Sequence, residues 1–184
     1  MDQMMRRPEF VTLVDSEDNV VGLEEKLRAH RDGKLHRAFS IFVFDANRRV
    51  LMQRRSVGKY HSPGLWSNTC CGHPRPGETT EGAASRRLAE EMGFRCDLHA
   101  AFRLVYRADL GGSMIEHELD HVFVGRFDGT PVPDPMEVGE FAWWSVPDLR
   151  QQIAAAPSAF TFWLRLLLGS RDWTAVDDIL ALSS

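Results

Sequence analysis

The sequence predicts an α+β fold, a mixed or antiparallel β-sheet with helices packed against it. Three observations predict it. Residues 38–44 and 50–54 alternate, are rich in β-formers and flank a DANR turn, so they read as a hairpin. Residues 80–92 carry apolar and charged side chains at helical spacing, between a threonine cap and a glycine stop. Two further helical stretches, 160–168 and 174–182, close the chain.

The elements follow in order. Short strands at 10–15 and 20–22 surround an SEDN turn, and 23–31 reads as a helix. The hairpin comes next, then the helix over 80–92. Thr79 or Thr80 caps that helix, Glu81 suits its first turn, and Gly93 supplies a left-handed stop. Ala84, Arg87, Leu88 and Glu91 sit at i, i+3, i+4 and i+7 and share one face. Residues 102–107 form a strand, and 116–127 a longer one after the turn at Gly111 and Gly112. Residues 141–144 form a short aromatic strand. Ser145 caps a helix with Pro147 in its first turn, and Pro157 ends it.

With 184 residues the chain reads as one domain, residues 1–184, able to bury a real core. The hydrophobic share is 43% and the charged share 26%, ordinary for a globular chain. A net charge of −4 gives no global sign of nucleic-acid binding. The opening MDQMMRRPEF lacks the apolar core of a signal peptide, and no apolar run is long enough to cross a bilayer. Three cysteines, two adjacent, make no disulfide framework, so a reducing cytoplasm and a free thiol are expected.

The most informative stretch is NTCCGHPRPGETTEGAASRRLAEEMGF, residues 68–94. It places Cys71 two residues before His73, then a Gly-containing loop, then a charged helix face. From Gly72 it reads G-x5-E-x7-R-R-L-A-E-E-M-G-F. This resembles the Nudix signature, G-x5-E-x7-R-E-U-x-E-E-x-G-U, where U is a bulky aliphatic residue. In that family the loop and helix bind Mg2+ and, through it, a diphosphate. Arg87 stands where the signature has a metal-holding Glu, which argues against plain diphosphate hydrolysis. Taken alone, the helix could be a surface helix carrying an Arg87–Glu91 pair. Charge pairing, however, needs no CGHPRPGE loop in front of it.

Together LEEKLRAH, LHRAFS, LMQRRS, PGLWSNTCCGHP, RRLAEEMG, LVYRA, IEHELDHVF and AFTFW resemble the type I isopentenyl-diphosphate Δ-isomerases, a Nudix-like family. The resemblance runs from about Leu13 to the C-terminal helices, and it implies a Nudix-like mixed sheet. Its reaction moves a carbon–carbon double bond between isopentenyl and dimethylallyl diphosphates, in isoprenoid biosynthesis. The resemblance puts His30, His36, His73, Glu116 and Glu118 on one divalent metal, with Mn2+, Zn2+ and Mg2+ all open. It gives Glu91 to a Mg2+ that also touches the diphosphate, and Lys26, Arg55, Lys59 and Arg87 to the diphosphate itself. It implies catalytic roles for Cys71, Glu118, Tyr106 and Trp163. No flavin is needed. The expected partner is a small allylic or homoallylic diphosphate, with no nucleic acid or membrane, and the chain is expected to be a monomer.

Each residue has a plainer alternative. A free cysteine is commonly just buried, Tyr106 could only pack, and Trp163 sits among Phe160, Phe162, Leu164 and Leu166. In an extended segment Cys70 points away from Cys71, and Arg54 away from Arg55. The rival functions are hydrolysis of another diphosphate and metal binding without turnover.

Overall fold

The computed structural model describes residues 8–59 and 61–182. Residues 1–7, where the leader expectation begins, lie outside the described residues. β1 (Phe10–Val14) and β2 (Val20–Glu25) form an antiparallel hairpin, followed by α1 (Lys26–Asp32). The helix expected at 23–31 starts later. Leu23 pairs with Thr12 in the hairpin, and the Glu25 side chain caps the amides of Leu27 and Arg28. Tertiary strand pairing has overridden local helix preference.

β3 (His36–Phe44) is the organising strand. It runs parallel to β8 (Ile115–Arg126) from His36↔Glu118 to Phe44↔Arg126. β4 (Arg49–Arg55) joins β3 only at Phe44↔Val50 and otherwise pairs with β9 (Val138–Ser145). Beyond that point β5 (Trp66–Ser67) pairs with β4, and β6 (Cys70–Gly72) pairs with β3. β7 (Leu98–Asp109) is an edge partner of β8 and is longer than 102–107, because its pairing begins at Leu98↔Gly125.

β3 is buried on both faces, so helices must cover both. Phe39, Ile41 and Val43 pack with Leu88 and Met92 of α2 (Thr80–Met92). Phe42 and Phe44 pack with Leu149 of α3 (Val146–Ala155), Leu164 of α4 (Phe162–Gly169) and Val176 of α5 (Thr174–Leu182). Phe160 was expected in a helix but instead bridges Trp66, so α4 starts at Phe162. No helix among the described residues is long and apolar enough to cross a membrane.

The α2 boundaries match the sequence reading. Thr79 Oγ1 accepts the Gly82 amide, and Gly93 closes the helix at φ +75°. A Cβ at Gly93 would overlap the Val132 carbonyl oxygen as well as strain the backbone. Gly93→Ala is therefore expected to cost ~2 kcal/mol or more, read as a lower chemical-denaturation midpoint.

Candidate active site

The site gathers residues from four separate elements. His30 comes from α1, His36 opens β3, His73 follows β6, and Glu118 lies on β8 opposite His36. The Nδ1 atoms of His30 and His36 are fixed by the carbonyls of Lys26 (2.7 Å) and Lys34 (2.8 Å). That leaves each Nε2 for the cluster, the usual arrangement behind a metal-ligating imidazole. His36 Nε2 lies 3.2 Å from His73 Nε2, which in turn lies 2.9 Å from Glu118 Oε1. One ligand atom from each of His30, His36, His73 and Glu118 falls within 4.8 Å of the others. Burial drives the His73 imidazole down to about 3, and it lowers that of His30 too. Neutral imidazoles and a carboxylate are the donors a divalent cation requires, so the residues fit a metal.

Glu116, which the resemblance puts on the same metal, is outside this four-donor set. It is buried on the same strand face, and its Oε2 accepts the Tyr106 hydroxyl at 3.2 Å. That hydroxyl also donates to Glu118 Oε2 at 2.7 Å. The two carboxyls are pushed apart. Burial and the Glu118 charge raise Glu116, whereas the imidazoles of His36 and His73 beside Glu118 outweigh burial and hold it low.

Cys71 packs against an apolar cluster of Tyr106, Ala108 and Trp163. Burial, opposed by the nearby Arg55 guanidinium, pushes its thiol up to about 12. Alternation separates the two cysteines as expected. Cys70 is fully buried with Ala83, Ala84 and Leu88 under α2. The Trp163 indole is pinned by its N–H to Ser67 Oγ (3.0 Å) and Asn68 Oδ1 (3.1 Å), and the Arg55 guanidinium lies 5.3 Å from its ring centre. Arg54 is exposed while Arg55 is buried, again as alternation requires.

On α2, Glu91 is buried and accepts Gln53 Nε2 at 3.1 Å, while Arg87 pairs with both Glu91 and Glu90. The Arg87–Glu91 pair of the plainer reading is thus present, but it is anchored inside the molecule. Lys26 pairs with Glu9 at 2.9 Å, and Lys59 pairs with Glu137. Gln53, Ser67, Asn68 and Glu137 were not read from the sequence. Gln53, Ser67 and Asn68 lie within the motifs that carry the resemblance, but their contacts with Glu91 and Trp163, like that of Glu137 with Lys59, cross long stretches of chain.

A NUDIX domain model matches residues 34–164. A curated protein from Burkholderia multivorans, named isopentenyl-diphosphate Delta-isomerase, is 55% identical over 87% of this chain and 91% of its own length. The chain belongs to the isopentenyl-diphosphate Δ-isomerase family. A second family member, isopentenyl-diphosphate Delta-isomerase 2 from Aromatoleum aromaticum, is 52% identical over 86% of this chain and 84% of its own. Among solved structures, a Deinococcus radiodurans protein superposes with a TM-score of 0.73 at 23% identity, covering 86% of this chain and 97% of that one. A MutT NUDIX hydrolase from Burkholderia pseudomallei gives a TM-score of 0.58 at 20% identity, covering 73% and 95%. These two likenesses establish the fold that the isomerase family shares with Nudix hydrolases.

Beside this cluster, Asp120 continues the strand face of Glu116 and Glu118 and is buried. Its Oδ2 accepts the Ser40 hydroxyl at 2.8 Å, and its Oδ1 has no partner among the described residues. Burial and the Glu118 charge raise its carboxyl to about 8. The folded state thus holds a proton that the unfolded chain, with an ordinary carboxyl, releases near pH 4. This contribution is full below that pH and is lost as pH rises toward about 8. Asp120→Asn is expected to raise the melting temperature at pH 8 but not at pH 4, measured by calorimetry.

Proposed function

We propose that the protein interconverts isopentenyl and dimethylallyl diphosphates. The observation that carries this reading is the packing of the Cys71 thiol with Tyr106 and Trp163, Tyr106 in turn bonding Glu118. A thiol and a carboxylate against an apolar wall suit proton exchange with a hydrocarbon and serve no obvious purpose in attack on phosphorus. Arg87 in place of a signature carboxylate supports the same conclusion.

Protonating an unactivated alkene passes through, or close to, a tertiary carbocation. The site must therefore supply an acid and a base, stabilise positive charge and exclude water. Cys71 and Glu118 exchange protons with opposite faces of the isoprene unit, so one proton enters as another leaves. The reverse reaction uses the same pair with roles exchanged. Tyr106, hydrogen-bonded to Glu118, orients that carboxyl and assists the proton's passage. Trp163 presents its π system to the developing cation, worth roughly 0.5–2 kcal/mol. The surrounding apolar side chains keep water from capturing the ion.

His30, His36, His73 and Glu118, with Glu116 as a fifth donor, would hold a divalent ion of the Mn2+, Zn2+ or Mg2+ type. When bound, it would tune the acidity of Glu118. Glu91 would hold Mg2+ against the substrate diphosphate. Arg55, Arg87, Lys26 and Lys59 would supply the countercharge, the arginines by bidentate contacts. Cytoplasmic residence and a monomeric state complete the reading.

The test is incubation of purified protein with isopentenyl diphosphate, Mg2+ and Mn2+, followed by proton and phosphorus NMR. Dimethylallyl diphosphate with an intact diphosphate is the expected product. Released phosphate with no isomer would assign the chain to hydrolysis instead.

A further inference from the structure

Glu137 lies where the two elements carrying Lys59 and Arg87 meet. Lys59 is in the loop after β4, and Arg87 is on α2. Backbone hydrogen bonds fix the junction from both sides. The Glu137 carbonyl accepts the Ser56 amide at 3.0 Å, and its own amide donates to Asp134 O at 3.0 Å. The Asp134 amide donates to Glu91 O at 3.0 Å, so the segment is tied directly to α2. The side chain then spans the gap. One carboxylate pairs with Lys59 Nζ and also lies 3.2 Å from Arg87 Nη2. All three side chains are about one-fifth exposed, so solvent screens them only partly.

Two cations converging on one point repel each other unless an anion lies between them. Arg87 already has Glu90 and Glu91, but Glu137 is the residue that also holds Lys59. We infer that Glu137 is a positioning residue: it clamps Lys59 beside Arg87 so that both present their N–H groups to one phosphate group. The clamp is backbone-anchored, which makes it a fixed part of the cradle and not a flexible counterion. This rests on the diphosphate reading above. It adds to that reading a carboxylate that touches neither metal cluster nor carbon chain, yet sets affinity for the diphosphate.

The test compares wild type, Glu137→Gln, Glu137→Asp and Glu140→Gln in steady-state isomerisation and in inhibition by inorganic pyrophosphate with Mg2+. Glu140 serves as the control because its carboxylate pairs with the exposed Arg54 at 3.4 Å, away from the site. Glu137→Gln is expected to raise KM and the pyrophosphate inhibition constant together, by about tenfold, with kcat changed by less than about threefold. Glu137→Asp keeps the charge but withdraws it. It shows a smaller rise in both, and it carries the test if the Gln variant does not fold. Glu140→Gln leaves both constants unchanged. Unchanged or lowered KM and inhibition constants in the folded Glu137 variants would overturn the assignment, as would a fall confined to kcat. Failure of pyrophosphate to inhibit the wild type would instead remove the diphosphate reading, and the clamp with it.

Discussion

Cys71→Ala is expected to lower kcat for isomerisation by about a thousandfold or more while the protein stays folded and still binds divalent metal. Removing a group that exchanges a proton with substrate forfeits the acid–base contribution of roughly 10²–10⁴. The alanine methyl can neither give nor take a proton, and the residues packed around it, Tyr106 apart, are apolar. The substitution removes a single sulfur atom, so its loss leaves little cavity. The neighbouring cysteine gives the control. Cys70→Ala removes a fully buried thiol from the core beneath α2, costing about 1 kcal/mol of stability with turnover largely kept. The measurement pairs kcat with a denaturation midpoint for each variant. Equal loss of activity in both would undo the assignment of the chemistry to one thiol.

Glu118→Gln is expected to be as damaging to turnover and, unlike Cys71→Ala, to weaken metal binding. The carboxylate serves two sets of partners at once. Oε1 meets His73 at 2.9 Å and His36 at 3.5 Å, and Oε2 accepts the Tyr106 hydroxyl at 2.7 Å. An amide is nearly the same shape, so the fold should survive. It carries no charge, however, and offers one acceptor oxygen where the carboxylate offers two. Titration with Mn2+ is expected to show affinity reduced by tenfold or more, with kcat down about a thousandfold. Retained metal affinity alongside lost turnover would separate Glu118 from the metal. Retained turnover would remove it from the reaction.

What the sequence revealed depended on range. The α2 limits were legible because Thr79 and Gly93 act on amides and carbonyls within one turn. The division of labour between Cys70 and Cys71, and between Arg54 and Arg55, was legible because strand alternation is local. The start of α1 was misread, since Leu23 is claimed by a partner strand at Thr12. Phe160 was misplaced for the same reason, through its bridge to Trp66. The cluster of four potential metal donors was beyond spacing alone. His30, His36, His73 and Glu118 converge only because β3 runs parallel to β8 along one edge and meets β1 and β6 in turn along the other, an arrangement no spacing in the chain displays. The roles of Glu137, Gln53 and Asn68 were not legible because each holds in place a side chain distant in sequence.

The central claim is that the Nudix-like frame here serves proton exchange on carbon. It is tested most directly by running the reaction in deuterated water with isopentenyl diphosphate, Mg2+ and Mn2+. The account predicts dimethylallyl diphosphate carrying deuterium in a methyl group, with the diphosphate intact. Unlabelled, unchanged isopentenyl diphosphate under metal-replete conditions would contradict it.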